Sequence, residues 1–213
     1  RRLEFIDENQ ILLVSGHTVA IHHVETREQR VIAATNTPLV SGGICCVTCC
    51  QSRRLVAVAE CMSPVAQVTL YDSSTCKRKK VLVHNELGSE DIQSISFTDD
   101  GHYLAVQGGA PNWSLVVWNL EKASKALHLS NSGGDGSVVN CISFSPNDQS
   151  VLLVLARGNV KLYRCSDSQL RPIPLNLRMD QANFVAYGWL YDERLLVATQ
   201  AGEVLLFEDF EFR

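Results

Sequence analysis

Residues 92–120, IQSISFTDDGHYLAVQGGAPNWSLVVWNL, contain three short runs rich in β-branched and aromatic residues: Ile92 to Phe97, Tyr103 to Gln107 and Leu115 to Trp118. The separators Thr98-Asp-Asp-Gly101 and Gly108-Gly-Ala-Pro-Asn112 carry turn chemistry, because Asp bonds to nearby backbone, Gly accepts positive φ and Pro fixes φ. A fourth run, Lys125 to Leu129, follows Glu121-Lys122-Ala123-Ser124. The unit reads as a four-stranded antiparallel meander. Ala and Lys also make Leu120 to Leu129 a helix candidate, but every other unit has a turn and outer strand in that slot, so a strand is predicted.

Outward from this unit, the third-strand signature recurs as Val19-Ala20-Ile21-His22-His23, Val68-Thr69-Leu70-Tyr71-Asp72, Val116-Val117-Trp118-Asn119, Val160-Lys161-Leu162-Tyr163-Arg164 and Val204-Leu205-Leu206-Phe207-Glu208. The ring slot holds His22, Tyr71, Trp118, Tyr163 and Phe207, at spacings of 49, 47, 45 and 44 residues. A repeat of roughly 40 to 45 residues with four strands each is the period of a β-propeller blade. The expected architecture is all-β, with about five four-stranded antiparallel blades over residues 1–35, 36–85, 86–131, 132–177 and 178–213. Three strands are expected in the last: Phe184 to Trp189, Leu195 to Thr199 and Glu203 to Phe207. Rings of this kind usually close with about six to eight blades, which removes open sheet edges. We therefore expect a fragment of a larger ring of about seven blades, its remaining blades supplied by the same full-length chain.

The run Ser96-Phe-Thr-Asp-Asp-Gly-His-Tyr-Leu-Ala105 and its echo Ser143-Phe-Ser-Pro-Asn-Asp148 resemble the turn between the first two strands of WD40 blades. The dipeptide naming that family is degenerate here, as Tyr71-Asp72 and Trp118-Asn119, and as Tyr163-Arg164, Phe207-Glu208 and His22-His23 elsewhere. The Gly-His that opens such blades is absent, since Gly16-His17 falls between a second and a third strand. That departure puts the usual Asp-His-Ser-Trp network in doubt and leaves apolar packing to join the blades. More narrowly, Leu3-Glu-Phe-Ile-Asp-Glu-Asn-Gln-Ile11, Cys76-Lys-Arg-Lys-Lys-Val-Leu82 and Asn183-Phe-Val-Ala-Tyr-Gly-Trp189 resemble the first propeller of the cilia- and flagella-associated WD-repeat proteins. The resemblance implies tandem propellers followed by coiled coil, and an axonemal scaffold connected with inner dynein arms.

A net charge of -4 over 213 residues argues against nucleic acid, whose binders present a basic face. No apolar run of about 18 residues is present, so no membrane partner is expected. The chain begins at Arg1 and shows no leader, which reads as a piece of a longer protein; its crowded cysteines read as reduced and intracellular, and a cytoskeletal, axonemal location is what the resemblance implies. Cys45, Cys46, Cys49 and Cys50 crowd one strand-like run, where period-2 alternation sends Cys46 and Cys50 to one face and Cys45 and Cys49 to the other. Small buried thiols, reduced and metal-free, are the reading; no cofactor is expected. His22-His23-x-Glu25 is split across two faces in the same way, and His22 is expected in a core slot.

Catalytic spacings are missing. His-Glu-x-x-His, Gly-x-Ser-x-Gly and P-loop patterns do not occur, and Gly133-Gly-Asp-Gly-Ser137 precedes a strand pattern, not the helix that phosphate binding uses. The expected inner strands, such as Ser94-Ile-Ser-Phe97 and Cys141-Ile-Ser-Phe144, offer small neutral side chains where a channel enzyme needs acids and bases. A non-enzymatic protein-interaction scaffold is therefore expected, with an adaptor unrelated to cilia and a propeller enzyme as alternatives. Candidate interaction residues are Trp113 with Asn112, and Met62 and Arg157 in equivalent loops of neighbouring blades, since rim loops and exposed Trp anchor interfaces. The run Lys77, Arg78, Lys79 and Lys80 protects an outer edge or contacts an acidic partner such as tubulin tails.

Overall fold

The computed structural model describes residues 3–33, 41–122, 124–134, 136–166, 169–175, 177, 182–192, 194–209 and 211–212. They form five four-stranded antiparallel sheets, each hydrogen-bonded in chain order. The first holds β1 (Leu3–Phe5), β2 (Gln10–Ser15), β3 (Thr18–His23) and β4 (Gln29–Ala33); the second, β5 (Ser41–Cys50), β6 (Leu55–Met62), β7 (Gln67–Asp72) and β8 (Arg78–Leu82). The third holds β9 (Ile92–Phe97), β10 (Tyr103–Gly108), β11 (Leu115–Asn119) and β12 (Ser124–Leu129), so the Leu120 to Leu129 segment is a strand as expected. The fourth holds β13 (Val139–Phe144), β14 (Val151–Ala156), β15 (Asn159–Ser166) and β16 (Gln169–Ile173). The fifth holds β17 (Phe184–Trp189), β18 (Leu195–Thr199), β19 (Val204–Glu208) and β20 (Glu211–Phe212). Its short outer strand, beyond the three that the sequence pattern marks, pairs through Phe207↔Phe212 and Glu208↔Glu211.

Turn chemistry sets hairpins in the second and third sheets. Asp72 Oδ1 accepts the N–H groups of Ser74 at 3.0 Å and Thr75 at 2.9 Å, and Asp100 Oδ1 accepts His102 N–H at 2.8 Å and the Thr98 hydroxyl at 2.6 Å. Gly101 follows with φ of 66°, where an added Cβ would lie 2.7 Å from both Arg53 Cγ and Cys50 Sγ of the neighbouring sheet. Only a residue without Cβ passes there.

Four apolar clusters join consecutive sheets. Leu12, Ile21 and Val56 pack the first sheet on the second; Leu55, Leu70 and Leu104 the second on the third; Leu115, Leu127 and Leu152 the third on the fourth; Leu153, Leu162 and Leu195 the fourth on the fifth. The ring slot of each third strand seals against the sheet before it: Tyr71 on the first, Trp118 on the second, Tyr163 on the third and Phe207 on the fourth. Among the described residues no sheet precedes that of His22. His22 is half-buried with its ring nitrogen 3.3 Å from Gln29 Nε2, not packed in a core as the sequence pattern led us to expect. None of the clusters among the described residues joins the fifth sheet to the first, and Leu3, Phe5 and Val31 remain more than half exposed on the first sheet, as does Val204 on the fifth.

The innermost strands are laced by short side chains. Ser94 Oγ accepts Ile142 N–H and Ser96 Oγ accepts Phe144 N–H, both at 3.1 Å, so β9 satisfies donors along the edge of β13. Asn140 Nδ2 donates to Phe184 O at 2.6 Å, extending the lacing from β13 to β17, and Trp189 Nε1 donates to Ser143 Oγ at 3.1 Å. These neutral residues are structural struts.

Candidate interaction surfaces

A four-stranded meander places alternate loops at opposite ends, which gives the stack two rims. One rim carries the loops between second and third strands together with the links between sheets. Met62, Asn112, Trp113 and Arg157 all lie on it. Asn112 and Arg157 are exposed; Met62 is half-buried. Trp113 does not stand free: it sits at φ of 46° and packs half-buried against the cluster between the third and fourth sheets. Its N–H donates to Gly109 O at 3.0 Å, and its carbonyl accepts the N–H and hydroxyl of Ser132 at 3.2 and 3.1 Å. Part of its ring therefore belongs to the seam, and the remainder faces the rim.

The basic run is at the other end and along the outer edge. Lys77 occupies the turn before β8, while Arg78, Lys79 and Lys80 begin that outermost strand. Lys79 Nζ lies 3.0 Å from Asp72 Oδ2. The hydrogen bond from Lys79, followed by those from Thr75, holds the Asp72 carboxyl well below the usual carboxylate range. The four cations are thus not equivalent, since Lys79 is already tied to its own blade.

Two groupings have no spacing signature in the sequence. On the second rim, Arg53 Nη2 reaches Glu121 Oε1 at 3.1 Å and His102 Nδ1 approaches the same oxygen at 2.9 Å, while Arg53 Nε donates to Asp100 O at 2.8 Å. This cluster fastens the second sheet to the third. On the first rim, Cys45, Cys61 and Asp91 converge with their ligand-type atoms all within 4.8 Å of one another. The sequence reading placed Cys45 on the face opposite Cys46. A register shift between Ile44 and Cys46 corrects that: the extra residue turns Cys45 toward the third sheet, alongside Cys46. Burial, then the hydrogen bond shared with Cys61, pushes the Cys45 thiol strongly up; burial also raises Cys61. Burial takes Cys46 and Cys49 to about 12.

The inner strands of all five sheets line an open lumen of about 540 Å³. Glu4 and Asp99 are the carboxylates on its wall, accompanied by Ser96, Ser143 and the Trp189 ring. No helix among the described residues is long and apolar enough to cross a membrane.

Five meanders stacked in chain order about a shared lumen define a WD40-type β-propeller. The solved propeller of Myceliophteria thermophila Cps50 (Swd1) superposes with a TM-score of 0.63 at 18% identity, covering 82% of this chain and 54% of that one. Residues 4–213 match the family model of the CFAP43 N-terminal domain, and the chain belongs to that family. It is 28% identical over 211 residues to cilia- and flagella-associated protein 57 of Mus musculus, which covers 98% of this chain but 16% of that protein. Cilia- and flagella-associated protein 52 of Sus scrofa is 20% identical over 187 residues, 81% of this chain and 29% of its own length. The chain thus spans less than a third of these relatives' length.

Proposed function

We propose that the chain is a non-enzymatic docking sector within a ciliary or flagellar axonemal scaffold that supports inner dynein arm assembly or motility. The observation carrying this reading is the fate of the inner-strand hydroxyls: Ser94, Ser96 and Ser143 serve as hydrogen-bonding struts between sheets. A lumen enzyme would need those positions for acids, bases or nucleophiles. The relatives' names support the ciliary location, and the rims supply the docking loops. The exposed apolar residues Phe5, Val31 and Val204 support a further reading, that additional blades of the full-length chain cover both ends of the stack.

Axonemal protein components are the proposed partners. Asn112, Arg157 and the outer part of Trp113 with Met62 would form one contact, and Lys77, Arg78 and Lys80 a second for an acidic surface such as tubulin tails. The test expresses full-length protein carrying either Asn112→Ala with Arg157→Glu, or Lys77→Glu with Arg78→Glu and Lys80→Glu, in ciliated cells. Loss of detergent-resistant axonemal retention in one of the two sets is the expected result. Full retention of both by folded protein would overturn the assignment of these surfaces, and an equally folded wild-type protein that never enters cilia would favour the general adaptor.

A further inference from the structure

We propose that Cys45 Sγ, Cys61 Sγ and Asp91 Oδ1 form a zinc site bridging the second and third blades, with the fourth coordination position open at the rim.

Three separate segments deliver the donors. Cys45 is the bulged residue of β5, Cys61 stands near the end of β6, and Asp91 ends the link into β9. Cys45 Sγ is 2.7 Å from Cys61 Sγ, and Cys61 Sγ is 3.3 Å from Asp91 Oδ1. All three residues are half-buried, so an ion can enter from solvent and retain one external ligand.

Asp91 is held before any ion arrives. Its N–H donates to Ser89 Oγ at 3.1 Å, its carbonyl accepts Gly109 N–H at 3.0 Å, and Gln93 Nε2 donates to its Oδ2, leaving Oδ1 directed at the thiols. A ligand carboxylate whose other oxygen is hydrogen-bonded is the usual arrangement around protein-bound metals. Two sulfurs with one carboxylate select zinc over calcium or magnesium, which take oxygen ligands. Binding replaces two S–H protons by two S–Zn bonds and releases those protons to solvent. Tetrahedral zinc at about 2.3 Å from each sulfur needs them about 3.7 Å apart, so binding requires the two thiols to separate from 2.7 Å.

The experiment loads cobalt, then zinc, into full-length protein purified reduced and metal-free. Wild type is expected to take up one cobalt equivalent with a sulfur-to-cobalt band and tetrahedral d–d bands, displaced by zinc. Cys45→Ser and Cys61→Ser lose that equivalent, Asp91→Asn weakens it by about 10- to 100-fold, and Cys165→Ser leaves it unchanged. As a check that needs no variant, zinc should protect Cys45 and Cys61 from maleimide in peptide mapping of the wild type. Cobalt bands that persist in both Cys variants, unaltered maleimide labelling of the two thiols with zinc, or a Cys45–Cys61 disulfide that persists despite reductant with no metal uptake would each overturn the site.

Discussion

Tyr163 donates its phenolic hydroxyl to the main-chain carbonyl of Ser132 at 2.8 Å, and Ser132 in turn donates its own hydroxyl to Gln107 Oε1 at 2.6 Å. The three residues are buried, and they join β15, the link between sheets and β10. This hydrogen-bonded chain crosses from the fourth sheet to the third. It gives the ring slot of the fourth blade a polar tether as well as an apolar seat.

Removing that hydroxyl tests the tether. Tyr163→Phe keeps the ring in its seam but leaves a buried carbonyl without this donor, which costs about 1–3 kcal/mol. Urea denaturation should show a lower midpoint with an unchanged slope, whereas an equal midpoint would show that the hydroxyl contributes nothing.

The seam between the fourth and fifth sheets closes on Phe207, which is 1% exposed and meets Leu195 and Val197 among its cluster. Phe207→Ala should destabilise by about 3–5 kcal/mol through lost transfer energy and the remaining cavity. Val204→Ser, on the exposed face of the same strand, should change stability by less than about 0.5 kcal/mol in residues 1–213. Thermal unfolding of the pair separates buried from open faces, and comparison with the full-length protein shows whether Val204 becomes covered there.

Gly101 combines a left-handed φ with close approach to Arg53 and Cys50. Gly101→Ala should cost about 1–2 kcal/mol for the backbone alone, and more if Cys50 cannot yield. An unaltered melting temperature would mean that the turn relaxes to another conformation.

Burial holds the Cys46, Cys49 and Cys165 thiols at about 12, above the ordinary value near 8.5 of an unfolded chain. The folded state therefore keeps protons that the unfolded state surrenders. The stabilisation is complete below the unfolded value and is lost as pH rises through the folded value, so stability should fall between about pH 9 and 12. The slope is up to about 1.4 kcal/mol per pH unit for each thiol. Calorimetry across this range, with Cys165→Ser as the comparison, reads the effect as a shallower decline.

At the acid side the sign reverses. The Asp72 carboxyl is lowered by Lys79, so its contribution is present above the unfolded value and disappears as pH falls through the folded one. Lys79→Met should raise the Asp72 titration midpoint in an NMR titration; an unmoved midpoint would assign the depression to the Thr75 turn alone.

Much of the fold was legible because its causes are local. Period-2 alternation, the Asp-Gly and Asp72-Ser-Ser-Thr75 turns and the recurrent ring slot specify strands and hairpins within some 45 residues, a span over which backbone sterics and side-chain capping act directly. The site was less legible. The bulge at Cys45, the burial of Trp113 and the ion pair that occupies Lys79 depend on how a strand meets its neighbours.

By itself, the sequence determined the repeat, the all-β class and the inner strands of small neutral residues, since these follow from residue type and spacing. Only the tertiary structure decided that those serines brace one sheet against the next, that Tyr163 finds Ser132, and that Cys45 turns to meet Cys61 and Asp91. These pairings join residues 16 to 48 positions apart, and sheet packing chooses them through shape and the need to satisfy buried polar groups, which no local pattern encodes.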